Sequence, residues 1–140
     1  MKNINIDDGR EAITINGDPN RTIYVQASDF NIKVRARQAQ KNIADLLEEI
    51  NKVSPENEEA FTDVLEEIDK KVRDQINFIF NADVSEPIFG ACSPLMSLKN
   101  GKSYVEAFLD AITPELEKIA KKAAEASEKR ISKHTRKYAK

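Results

Sequence analysis

Near the start of the chain, apolar residues recur at every second position in three short stretches, INI (4–6), AITI (12–15) and TIYV (22–25). Alternation of this kind sorts side chains onto the two faces of a strand, and the intervening DDGR and NGDPNR are rich in turn-forming residues. The pattern predicts a three-stranded antiparallel meander over residues 1–28, with Ile4, Ile6, Ile13, Ile15, Ile23 and Val25 on one face. So small a sheet needs cover from elsewhere in the chain.

From about residue 31 the period changes. Ile32, Ala36, Ala39, Ile43, Leu46, Ile50 and Val53 follow steps of four and three, a heptad seam that predicts one long helix. Ser54-Pro55 closes it and offers an N-cap and first-turn pair for the next helix. That second helix, over roughly 56–82, carries Phe61, Val64, Leu65, Ile68, Val72, Ile76 and Ile79 on one stripe. Its exposed face sets Glu66 four residues before Lys70 and Glu67 four before Lys71, and the two helices are expected to form an antiparallel hairpin. A third helix starts at Ser103, where SYVE is a capping box ahead of Val105, Phe108, Leu109, Ile112, Leu116, Ile119 and Ala123. Pro114 predicts a kink or a one-residue break in it.

These elements define an α+β fold in a single domain of 140 residues: the small N-terminal β-meander, then a mainly α-helical body over 29–128, made of the helical hairpin plus the long C-terminal helix, and a basic tail over 129–140. No stretch is apolar enough for a signal peptide or a membrane span, so a soluble, unexported protein is expected.

The formal net charge of −2 conceals a segregation of charge. Residues 121–140 hold eight Lys/Arg against Glu125 and Glu128, a surplus of +6, which leaves −8 on the first 120 residues. An acidic body therefore ends in a basic tail. Such a tail is either a solvated helix end whose cations suit the negative end of the helix dipole, or an electrostatic contact for nucleic acid. Against nucleic acid stand the acidic body and the lack of aromatic residues among the basic ones, apart from Tyr138.

Candidate chemistry adds little. Cys92, the only cysteine, sits in the loop IFGACSP, but the only histidine, His134, lies in the tail and no base is near in sequence. Its expected role is that of a small hydrophobe in a structural corner stiffened by Pro87 and Pro94. The acidic pairs Glu48/Glu49, Glu58/Glu59 and Glu66/Glu67 lie in charged helical runs, the four glycines are isolated, and no Cys/His set has metal-ligand spacing. No catalytic, cofactor-binding or metal-binding residue is assigned, and the chain is expected not to be an enzyme.

Taken in order, INGDPNRTIYV with SDFN, the loop IFGACSP, the helix YVEAFLDAITPEL and the terminal RISKHTRKYAK resemble the tail assembly chaperones of long-tailed, siphovirus-type phages of Gram-positive bacteria. The resemblance covers most of the chain. It implies a non-catalytic, largely helical protein of the infected host's cytoplasm, absent from the mature virion. Such a protein coats the tape measure protein and keeps it soluble until tail tube subunits assemble around it, and members of that family commonly self-associate. The candidate partner-binding residues are the seam positions Ile32, Ala39, Ile43, Leu46 and Ile50, which either serve this chain's own core or meet a partner's helix, and the tail cations Lys129, Arg130, Lys133, Arg136 and Lys137. The second reading is a small nucleic-acid-binding regulator acting through the tail.

Overall fold

A computed structural model describes the backbone of residues 1–138 and the side chains of residues 1–131. A two-stranded antiparallel sheet leads into a helical body that ends in a long helix, an α+β architecture. Strand β1 spans Arg10–Ile15 and β2 spans Asp18–Gln26. They are joined by Asn16-Gly17, both at positive φ (54° and 71°), the backbone that a two-residue hairpin turn demands and that an Asn-Gly pair supplies. The register pairs Ile13 with Ile23 and Thr14 with Thr22, then jumps to Ile15 with Asp18, so residues 19–21 bulge out of β2 and re-aim Arg21. Ile23 and Val25 are buried, with Ile13 and Ile15 packed against the same core, which is the predicted apolar face.

The third strand of the meander does not form. Residues 4–6 are unpaired, and Ile4 and Ile6 are 79% and 75% exposed. The reason lies in DDGR. The two-residue type I′ turn that closes the other hairpin would need Asp8 as well as Gly9 at positive φ, yet only Gly9 (75°) is left-handed. Asp8 instead engages β1 and β2: its carboxylate accepts from the Arg10 N–H at 3.1 Å and from Arg10 Nε at 2.7 Å, and its carbonyl accepts from the Gln26 side chain.

Helix α1 spans Ile32–Asn51 and α2 spans Glu58–Phe80, and the two pack against each other as the helical hairpin the stripes predict. Two side-chain contacts link them: Asn42 Nδ2 donates to Gln75 Oε1 at 3.1 Å, and Arg35 Nε donates to the Ile79 carbonyl at 3.0 Å. The N-cap of α2 is Asn57, whose side chain accepts from the Ala60 N–H, not Ser54 with Pro55 as expected. An Asn at that position satisfies an orphan N–H of the first turn as well as a Ser does. Of the two predicted ion pairs on the outer face of α2, Glu67–Lys71 closes at 3.0 Å.

A short helix, α3, spans Ser85–Phe89, and α4 spans Tyr104–Tyr138. The capping box is in place, with Ser103 Oγ accepting from the Glu106 N–H at 3.3 Å and donating to its carboxylate at 2.9 Å. Pro114 does not break α4. It withholds one backbone donor from the turn before it, but Pro114 is exposed, so the orphaned carbonyl can be hydrated, while the Thr113 hydroxyl donates to the Leu109 carbonyl at 2.7 Å. Nor does the helix end at residue 128: it runs through the expected body–tail boundary without interruption.

One apolar core joins the sheet to all four helices, through Ile23 and Val25 of the sheet, Ile43 of α1, Ile76 of α2, Ile88 of α3 and Phe108 of α4 among others.

Candidate interaction surfaces

The heptad seam of α1 faces inward. Ile32, Ala39 and Ile43 are buried (Ile43 is 1% exposed), and Leu46 and Ile50 are half-buried against the same core. The side chains proposed for a partner helix are thus occupied by α2 and α4, as the steric demand of a small core predicts. A surface for a partner has to be sought elsewhere.

The loop around Cys92 is a structural corner. Gly90 (φ 58°, ψ −127°) has a backbone conformation that strongly favours glycine. Asp69 and Arg73, one turn apart on α2, hold the segment: Ser93 Oγ donates to Asp69 at 2.7 Å, Arg73 Nε pairs with Asp69 at 2.7 Å, and Arg73 Nη2 donates to the Cys92 carbonyl at 3.3 Å. The guanidinium also lies 5.2 Å from the centre of the Phe89 ring. These contacts use the Ser93 hydroxyl, the Cys92 carbonyl and the Phe89 ring, and the half-buried thiol takes no part in them. Among the described residues, no group of three or more His, Cys, Asp or Glu could hold a metal ion, and no helix is long and apolar enough to cross a membrane.

A groove of about 640 Å³ runs between β1 and the first half of α4. One wall is five consecutive residues of the strand and its turn, Ala12 to Asn16; the other is Leu98 with Tyr104, Phe108 and Ile112 and their neighbours on α4. Its shape follows from the Arg21 bulge. Arg21 Nε donates to the Pro87 carbonyl at 2.9 Å, and its Nη2 donates to the Ile88 carbonyl and the Tyr104 hydroxyl, so sheet, α3 and the start of α4 are fixed together. Reading the sequence missed this groove because its walls lie some ninety residues apart along the chain. The one signal that pointed to it was INI (4–6), the alternating stretch that finds no strand partner.

The second half of α4 is the other open surface. Among the described side chains of the helix Leu116 is the last buried one, Ile119, Ala120 and Ala123 are half-buried, and every residue from 124 to 131 is exposed. Lys129 and Arg130 stand on this exposed stretch. Lys133, Arg136 and Lys137 lie further along the same helix, and their side chains are outside the described residues, as is that of His134.

No known protein family, curated protein or solved structure matches this chain.

Proposed function

We propose that this protein is a non-catalytic tail assembly chaperone of a siphovirus-type phage, which binds the tape measure protein in the host cytoplasm and keeps it soluble. The observation that carries the reading, beside the ordered motifs that resemble that family, is the stretch of α4 from residue 124 to Ile131, all of it exposed. From residue 124 to Tyr138 the helix extends for about 22 Å at 1.5 Å per residue. A helix with so exposed a stretch gains when a partner's helix packs along it. A tape measure helix, hundreds of residues long and apolar along one stripe before its tube exists, is a client that needs such cover. Rim cations such as Lys129 and Arg130 tune the rate and specificity of the contact more than its affinity, which suits a client that tube subunits must later displace.

The contact assigned to the α1 seam moves to this arm, since the seam is consumed by the core. The test is co-expression with the tape measure protein, comparing client solubility with the full chain and with a chain truncated after Ser127. The full chain is expected to raise the soluble fraction and co-purify with the client, and the truncated chain to do so less well and in a salt-dependent manner. No rescue by the full chain refutes the reading, and salt-sensitive retention of generic DNA in its place establishes the regulator.

A further inference from the structure

We infer that the groove beside β1 is an acceptor for the N-terminal segment of a second copy of this chain, residues 3–7, added as a third strand. The inference rests on the strand edge and does not depend on the chaperone reading. The Ala27 N–H donates to the Gly9 carbonyl at 3.0 Å, which makes 9 and 27 a hydrogen-bonded pair. Along the observed register the pairs 11 with 25 and 13 with 23 are then also of that type, and Arg10, Ala12 and Thr14 turn their backbone groups away from β2. The Arg10 N–H is taken by Asp8. Those of Ala12 and Thr14 face the groove edge with no protein partner among the described residues, an open template for another strand.

The same chain carries the matching strand. INI places Ile4 and Ile6 at period two on a segment that buries neither, while the groove offers Ile13, Ile15 and Phe108. Antiparallel addition that sets Ile4 opposite Ile13 puts Ile4 and Ile6 on the α4 side, because residues directly opposite share a face. The segment cannot reach that place in its own chain without dismantling what surrounds it. A fold-back through a primed two-residue turn needs positive φ at Asp8, and any fold-back at Asp8-Gly9 has to disturb the Asp8 contacts with Arg10 and Gln26. From a neighbouring copy no turn is needed, and seven extended residues reach about 23 Å. Exchange between two copies completes two three-stranded sheets, the meander that the sequence pattern demands, with its third strand supplied in trans.

The experiment is light scattering across a concentration series on the full chain, on the donor variant Ile4→Lys/Ile6→Lys and on the acceptor variant Thr14→Pro, with circular dichroism as the folding control. The wild type is expected above the monomer. The donor variant, whose altered side chains are exposed in the single chain, is expected to dissociate about tenfold or more easily. Thr14→Pro removes an outward N–H that β2 does not use, and should act likewise. Mixing the two variants restores one intact donor with one intact acceptor and should regenerate a dimer tighter than either variant forms alone. Amide exchange reports the edge directly: Ala12 and Thr14 become protected as concentration rises. A monomeric wild type overturns the inference, as does protection of these amides that is independent of concentration, which would mark fold-back within one chain. A dimer unaffected by the donor variant also overturns it. The donor variant carries the test if Thr14→Pro fails to fold.

Discussion

Arg21 and Tyr104, eighty-three residues apart, meet over one backbone carbonyl: Arg21 Nη2 donates to the Tyr104 hydroxyl at 2.9 Å, and both groups donate to the carbonyl of Ile88. The pair fixes the sheet to α3 and to the first turn of α4, and with it the width of the groove. Arg21→Met leaves the Pro87 and Ile88 carbonyls short of donors and should cost about 2 kcal/mol; Tyr104→Phe removes a single hydroxyl and should cost about 1 kcal/mol. Urea denaturation of the two single variants and the double variant checks this. Because the groups share a partner, the double variant should lose less than the sum of the singles.

Asp29 and Arg35 staple the exit of β2 to the first turns of α1. A hydrogen bond from the Arg35 guanidinium, helped by the Asn31 N–H and opposed by partial burial, holds the Asp29 carboxyl below the usual carboxylate range. A depressed carboxylate contributes stability that is fully present above its unfolded value and is lost as pH falls through the folded one. Asp29→Asn should therefore cost about 1 kcal/mol at neutral pH, and the gap from wild type should close as pH drops below about 4. Thermal denaturation from pH 7 to pH 2.5 measures it. A gap that is constant over that range contradicts the assignment.

Cys92 offers a contrast. Its carbonyl is held by Arg73, while its thiol is half-buried and takes no part in the loop's contacts. Cys92→Ser should cost about 1 kcal/mol or less and leave client solubilisation unchanged. Loss of that activity in an equally stable variant would make the thiol functional.

Ile43 is the largest side chain of the heptad seam that is fully buried in the core. Ile43→Asp places an unpaired carboxylate among apolar side chains and should cost more than about 4 kcal/mol, enough to unfold a domain of ordinary stability. Circular dichroism should show loss of helix before any question of binding arises. A folded Ile43→Asp protein would mean that the seam is not held inside the chain.

Much of the fold was legible, for reasons visible in single residues. The seam of α1 declared itself because Ile32 to Ile50 keep one period over five turns, and Ser103 with Glu106 announced the start of α4 because a capping box is a local event. The strand around Ile23 and Val25 could be read because Asn16-Gly17 fixes its turn. What failed did so where local pattern underdetermines partnership. Ile4 and Ile6 alternate as a strand should, but the backbone at Asp8 decides that they find no neighbour in their own chain. Asn57 displaced Ser54 as a cap because both are competent and the path of the chain chooses. Helix α3 is too short for periodicity to show. The groove was illegible for a deeper reason: Thr14 and Phe108 meet only once the Arg21 bulge has brought sheet and α4 together.

The most direct measurement of the chaperone assignment is binding of the purified full chain to a purified helical segment of the tape measure protein and to a random-sequence DNA duplex, at low and moderate salt. Binding to the segment should be saturable, weaken only a few-fold between about 50 and 200 mM salt, be reduced by truncation after Ser127, and have no counterpart with the duplex. Tight duplex binding that falls by about a thousandfold or more over that range, with none to the segment, would contradict the assignment.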